Sequence, residues 1–224
     1  MTIHQIMSIS TVIPVVNIDD ADDAVPLAKA LLAGGVGIIE ITLRTPAAIE
    51  SIARVVREVP EMCVGAGTVW TKQDAKQVRK TGAHFIVSPG RTDSVYKYCK
   101  KHNIPLLPGT QTASEIALWV ERGFEAVKFF PAEVAGGLTA LKAFGSVFGN
   151  LKFCPTGGIT SESAPDYLAH PSIPCVGGSW LVEKQAVKAG DWKRIEEAAR
   201  AVSGSAPSAD SKSASTDTSS PPWN

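Results

Sequence analysis

Lys128 stands inside an apolar segment, Ala126-Val127-Lys128-Phe129-Phe130-Pro131. Lysine is rarely fully buried without a partner. Such a residue is a snorkelling strand-end side chain, one arm of an ion pair with Glu40, or a nucleophile. An ordinary lysine has a pKa of about 10.4 and is neutral to only about a few parts in ten thousand at pH 7. Desolvation, or a nearby cation such as Arg44, favours the neutral amine. A neutral lysine attacks a ketone and forms an imine.

The second reactive cluster is Ile39-Glu40-Ile41-Thr42-Leu43-Arg44. Side chains alternate along a strand, so Glu40, Thr42 and Arg44 are expected on one face and the apolar residues on the other. A carboxylate turned inward is costly unless it has a task or a partner. An ion pair with Arg44 is the plainer alternative.

Four turns could shape a ligand site. In Gly65-Ala66-Gly67-Thr68 the glycines admit close approach to the backbone and Thr68 offers a hydroxyl. The string is an incomplete dinucleotide fingerprint, and no acidic residue follows at a suitable strand end. Ser88-Pro89-Gly90 is a turn. Thr156-Gly157-Gly158-Ile159 and Gly177-Gly178-Ser179-Trp180 expose bare glycine amides. With a following helix N-terminus, such loops bind a phosphate dianion without a basic side chain. Two tight turns are the alternative.

Other chemistries find little support. His4, His84, His102 and His170 are scattered, and no H-E-x-x-H or G-x-S-x-G string occurs. Cys63, Cys99, Cys154 and Cys175 form no C-x-x-C pair and are expected as buried, reduced thiols. Lys+Arg and Asp+Glu both number 22, so no global field draws nucleic acid or an anionic membrane. Residues 1–10 do not resemble a signal peptide, and no apolar run reaches the roughly 20 residues needed to span a bilayer. The expectation is a soluble, cytoplasmic protein.

The elements that must position these residues follow from periodicity. Short apolar runs lie at 12–16, 36–43, 63–66, 85–87, 105–107, 126–130, 151–154 and 175–176. Helix-period segments such as 24–33, 47–58, 74–81 and 114–122 separate them. Thr45-Pro46 reads as an N-cap followed by proline at the first helical position. Thr112 with Glu115, and Thr71 with Asp74, have capping-box spacing. Gly34, Gly82 and Gly123 mark helix ends. Eight β-α units imply parallel strands and predict an α/β fold, a single-domain (β/α)8 TIM barrel over 1–202, with an open doubly wound sheet as the rival. Residues 203–224 are rich in Ser, Ala, Pro, Thr and Asp and are expected to be a disordered tail. Functional groups of such a barrel lie at the carboxyl ends of its strands, where all the candidates above fall.

Six strings in one order resemble bacterial 2-keto-3-deoxy-6-phosphogluconate (KHG/KDPG) aldolase. They are Glu40-Ile41-Thr42-Leu43-Arg44, Val64-Gly65-Ala66-Gly67-Thr68, Ser88-Pro89-Gly90, Val127-Lys128-Phe129-Phe130-Pro131-Ala132, Phe153-Cys154-Pro155-Thr156-Gly157-Gly158-Ile159 and Gly177-Gly178-Ser179-Trp180. The resemblance runs from residue 12 to residue 202. It implies a class I aldolase that reversibly cleaves the phosphorylated 2-keto sugar acid to pyruvate and glyceraldehyde 3-phosphate. Activity on 4-hydroxy-2-oxoglutarate, giving pyruvate and glyoxylate, is a second expectation. By the same resemblance Lys128 forms the imine and Glu40 is the general acid/base, working through a water. Arg44, Thr68 and Pro89 hold the pyruvate end, Phe130 forms an apolar wall, and Thr156 meets the substrate hydroxyls. Gly157, Gly158, Gly178 and Ser179 cradle the phosphate. The resemblance implies no cofactor, no metal, no nucleic-acid or membrane partner, and a homotrimer. The alternatives are an aldolase for the 6-phosphogalactonate epimer, an isomerase or decarboxylase barrel without an imine, and a non-catalytic phosphometabolite binder.

Overall fold

The computed structural model describes residues 1–203, in which strands and helices alternate. Helix α1 (Ile3–Met7) precedes β1 (Val12–Val16), α2 (Ala24–Ala33), β2 (Ile38–Thr42) and α3 (Ala48–Glu58). Next come β3 (Cys63–Gly67), α4 (Lys72–Thr81), β4 (Phe85–Val87) and α5 (Asp93–His102). The chain continues through β5 (Leu106–Leu107), β6 (Gly109–Thr110), α6 (Ala113–Glu121), β7 (Ala126–Phe129) and α7 (Gly137–Val147). It ends in β8 (Lys152–Pro155), α8 (Ala164–Leu168), β9 (Val176–Gly178), α9 (Lys184–Ala189) and α10 (Trp192–Ser203).

Every strand pair is parallel, as the helical crossovers require. Six strands run in the order β5-β4-β3-β2-β1-β9, and three in the order β6-β7-β8. The fifth apolar run, 105–107, forms β5, and a second short strand, β6, follows just beyond it. Pro108 lies between them and has no N–H to give to a ladder. Its carbonyl still accepts from Lys128 N at 2.9 Å. At the other junction Thr156 bridges Gly177, and Phe153 N donates to Ser172 O at 2.8 Å.

Strand residues such as Ile39, Ile41, Val127 and Phe129 are fully buried, and two apolar clusters fill the space between strands and helices. Phe85 shows how tightly: its ring occupies the place of a side chain at Gly65, where an added Cβ would lie 2.2 Å from it. Both expected capping boxes form, Thr71 with Asp74 and Thr112 with Glu115. Gly82 and Gly123 take the left-handed conformation at helix ends, with φ of +82° at each.

Three expectations are corrected. Thr45-Pro46 does not start α3, which begins at Ala48 with no side-chain cap; the Thr45 hydroxyl instead donates to Ile18 O. The strand of the sixth run, β7, stops at Phe129, one residue earlier than expected, and Phe130 turns away into a cis bond with Pro131. Ser203, placed at the start of the tail, closes α10 because its hydroxyl bonds Ala199 O. The rest of the expected tail, 204–224, lies outside the described residues. Among the described residues no helix is long and apolar enough to cross a membrane.

Candidate active site

The parallel registers put the polar strand residues on one interior face. Val15 pairs with Glu40, Glu40 with Gly65, Thr42 with Gly67, and Lys128 with both Gly109 and Cys154. Partners in a parallel register point to the same side of a sheet. Glu40 and Lys128 therefore meet across the interior, 88 positions apart in sequence: Lys128 Nζ lies 3.1 Å from Glu40 Oε1 and 3.3 Å from Oε2. Both are almost completely enclosed, at 5% and 4% exposure. Two charges so buried are tolerated only because each satisfies the other. Two glycines make the room. A Cβ at Gly67 would lie 2.1 Å from Glu40 Oε1, and one at Gly177 would lie 2.2 Å from Thr156 Oγ1.

Of the two ion pairs the sequence left open for Glu40, the one with Lys128 forms. Glu40 pairs with Lys128 and not with Arg44, and the charged neighbour of Lys128 is a carboxylate rather than a cation. The strand expected to carry Glu40, Thr42 and Arg44 on one face ends at Thr42. Leu43 N makes the last β2–β3 ladder bond, to Gly67 O, and Arg44 sits in the following turn, its N–H bonded to Thr42 O at 2.8 Å. From that turn Arg44 Nε reaches Thr68 Oγ1 at 3.3 Å. Thr68 has φ +60°, a left-handed conformation that costs a β-branched residue free energy. In that conformation its hydroxyl accepts from the exposed guanidinium.

The turn after β4 closes over the lysine strand. Gly109, the register partner of Lys128, is packed against Pro89: a Cβ there would lie 2.4 Å from Pro89 C. Ser88 Oγ accepts from Gly109 N at 3.3 Å. Phe130 places its ring 5.4 Å from Lys128 Nζ. Thr156 is buried at the end of β8, and Gly157 and Gly158 follow it with φ of +100° and +84°. Gly178 ends β9 against the Trp180 ring, and Ser179 is exposed beside it. The helices after these two turns begin at Ala164 and Lys184, several residues on. The glycine amides are therefore not the first turn of a helix, as the sequence had implied; loop segments separate the two.

Three further polar residues belong to the same interior, and of these the sequence had singled out only Thr42, on the strand face of Glu40. Thr42 is buried and donates its hydroxyl to Asn17 Oδ1, at the end of β1. Thr110 is buried and donates to Lys128 O at 3.0 Å. Thr42 carried a signal, since it alternates with Glu40. Asn17 and Thr110 had none beyond their place at strand ends. Among the described residues no group of three or more His, Cys, Asp or Glu side chains is placed to hold a metal ion.

Chemically, this is a buried lysine–carboxylate pair flanked by two arms. Arg44, Thr68 and Pro89 form one arm on the ends of β2, β3 and β4. Thr156, Gly157, Gly158, Gly178 and Ser179 form the other on β8 and β9. The arrangement suits a ketone held over the lysine, with an anionic group at either end.

Comparison with known proteins gives a consistent set of relatives. The family model for KDPG and KHG aldolases matches residues 3–198. The 2-dehydro-3-deoxy-phosphogluconate aldolase of Dickeya dadantii is 48% identical over 202 residues, 90% of this chain and 95% of that protein. A crystal structure of KDPG aldolase from Legionella pneumophila, with pyruvate captured at low pH as a covalent carbinolamine intermediate, superposes with a TM-score of 0.86 at 44% identity, covering 88% of this chain and 96% of that one. The enzyme of Zymomonas mobilis ZM4, crystallised with 3-phosphoglycerate, gives a TM-score of 0.86 at 45% identity, covering 92% and 97%.

Proposed function

The chain belongs to the KDPG and KHG aldolase family, and from that premise we propose a role for each residue of the site. The enzyme is a carbon–carbon lyase, a class I aldolase that cleaves 2-keto-3-deoxy-6-phosphogluconate to pyruvate and glyceraldehyde 3-phosphate. One observation carries the assignment of roles: the buried contact of Lys128 Nζ with Glu40 at 3.1 Å.

In the resting site this contact is ammonium to carboxylate. Passing one proton to Glu40 gives a neutral amine and a neutral carboxylic acid without any charge entering from solvent. The amine attacks the C2 ketone to form a carbinolamine. The acid returns its proton to the departing hydroxyl, water leaves, and a protonated imine remains. Glu40, again a carboxylate, takes the C4 hydroxyl proton through a water. The C3–C4 electron pair moves into the imine as an enamine, and glyceraldehyde 3-phosphate is released. The enamine takes a proton at C3, and water hydrolyses the imine to free pyruvate and Lys128.

Arg44, Thr68 and Pro89 hold the pyruvate end, with Arg44 facing the carboxylate. Phe130 walls the imine, and its ring face also suits a cationic nitrogen 5.4 Å away. Thr156 meets the substrate hydroxyls. Gly157, Gly158, Gly178 and Ser179 take the phosphate on backbone amides and a hydroxyl. The Zymomonas structure with 3-phosphoglycerate supports a phosphate site in this family. The same pair would act on 4-hydroxy-2-oxoglutarate, which lacks the phosphate.

Three coarser features are extended in the same reading. Residues 1–202 form one closed (β/α)8 barrel, in which β5 and β6 count as a single strand broken at Pro108. The Thr156–Gly177 bridge supports that closure. The active protein is a homotrimer. Its support is α7, an apolar helix with only Gly137 and Leu141 fully buried and with Val134 and Val147 exposed at its ends. The cytoplasm is its compartment, consistent with four buried free thiols.

Borohydride reduction in the presence of pyruvate tests the central claim. A pyruvyl-derived mass on the peptide containing Lys128 is expected, with no adduct on Lys128→Ala. An unmodified Lys128 after reduction, or normal turnover by Lys128→Ala, overturns it.

A further inference from the structure

The turn at Gly157 and Gly158 presents a physical problem. Two consecutive glycines at positive φ have unusually large backbone freedom, and ordering them on binding would weaken the grip on any ligand. A neighbouring side chain removes that freedom. Glu133, in the turn after β7, lies directly over Gly158, where an added Cβ would stand 2.6 Å from Glu133 Cγ and 2.7 Å from Glu133 Cβ. Its main chain is tied to the same turn: Glu133 N donates to Gly157 O at 3.1 Å, and Ala132 N to Thr156 O at 2.8 Å.

Glu133 is itself held. The hydroxyl of Tyr167, a buried residue of α8, donates to Glu133 Oε1 at 2.5 Å. Helix α8 is the element that follows the glycine turn in sequence. The contacts therefore close a circuit from the turn to α8, from Tyr167 to Glu133, and from Glu133 back to the turn. Burial, reinforced by the Glu133 carboxylate, pushes the Tyr167 hydroxyl well above its ordinary range, so it remains a donor throughout the working pH.

We propose that Glu133 and Tyr167 are positioning residues for the substrate phosphate: together they hold the Gly157-Gly158 turn in the conformation whose amides receive it. Neither residue touches the reacting atoms. The inference rests on the reading of that turn as the phosphate cradle, and it adds what sets the cradle's shape. It also confines the effect to one end of the substrate, since the Lys128–Glu40 pair makes no contact with Glu133 or Tyr167 in the described hydrogen-bond and ion-pair network.

The test compares a step that uses the phosphate with one that does not. Cleavage of 2-keto-3-deoxy-6-phosphogluconate is followed by pyruvate release. Deuterium exchange into the methyl group of pyruvate reports the imine and enamine alone. Tyr167→Phe and Glu133→Ala are each expected to raise KM for the phosphorylated substrate about tenfold, the scale of one hydrogen bond to a charged group. Their pyruvate exchange rates should stay within about twofold of the unmodified enzyme. Glu133→Gln, which keeps an acceptor for Tyr167, should restore most of the lost affinity. The double variant Tyr167→Phe with Glu133→Ala should lose no more than the worse single one. Equal losses in cleavage and exchange, or an unchanged KM in both single variants, overturn the proposal. Absence of exchange by the unmodified enzyme would instead sink the imine reading, so the two failures are separable.

Discussion

Glu40 is the residue on which the chemistry turns, because among the described residues its carboxylate is the one that forms an ion pair with the buried lysine. Glu40→Gln keeps the shape but cannot accept a proton from Lys128 or from the C4 hydroxyl. A fall in kcat of about 10²- to 10⁴-fold is expected, the usual contribution of a positioned acid or base. Borohydride trapping with pyruvate should still label Lys128 on long incubation; unchanged turnover would remove Glu40 from the mechanism. The thiols give a second prediction at this scale. Burial pushes Cys63 up to about 11 and Cys99 up to about 12. A thiol whose folded value is raised contributes stability that is full below its unfolded value and is lost as pH rises through the folded one. Native protein should thus resist iodoacetamide at both positions at pH 8, and lose stability as pH climbs from about 9 toward 12. Rapid labelling of either residue at pH 8 without unfolding would contradict this. At the residue scale the sequence was informative about type and silent about partners. A lysine amid Val127 and Phe129 announces itself, but nothing local says whether Arg44 or Glu40 will reach it. That choice depends on strand registers between segments 88 positions apart.

At the scale of the element, small residues decide whether functional ones fit. Gly67 ends β3 with an ordinary backbone, so its requirement for glycine is spatial: any Cβ would strike the Glu40 carboxylate. Gly67→Ala should leave the strand intact and displace Glu40, costing at least tenfold in kcat/KM, because a misplacement of about 1 Å is worth up to about a hundredfold. Kinetics beside a thermal melt would check it; full activity would mean the carboxylate has room to move. The caps were legible for the opposite reason. Thr71 with Asp74 and Thr112 with Glu115 close hydrogen bonds within three residues, so spacing alone specifies them. Thr45-Pro46 misleads because its hydroxyl is taken by Ile18 O, a partner 27 positions away, and α3 starts later. The end of β2 was misread similarly. Alternation says which face Arg44 would occupy if the strand continued, but not that the ladder ends with Leu43 N on Gly67 O and that Arg44 N turns back to Thr42 O.

The molecule as a whole is legible where its organisation repeats. Each β-α unit carries its own apolar run and its own turn residues, so eight runs could be read without knowing how they pair. Closure and assembly are different, since both depend on surfaces that meet far from one another in sequence. Helix α7 shows the difficulty. Its sequence, with Leu138, Leu141 and Phe144 and the single charge of Lys142, reads as a core helix. Yet Val147 at its end is 72% exposed and Val134 before it is 84% exposed. In the proposed trimer these side chains lie in the contact between subunits, and a ring of like subunits would repeat one such face around an axis. The homotrimer therefore makes a sharp prediction. Light scattering on the purified enzyme should give about three times the chain mass of 23.6 kDa. Val147→Asp should lower that mass toward a single chain, because an unpaired carboxylate in a closed apolar contact costs several kcal/mol. A mass of one chain for the unmodified enzyme would remove the trimer. A trimer unaffected by Val147→Asp would move the interface away from α7, whose open face would then need another occupant.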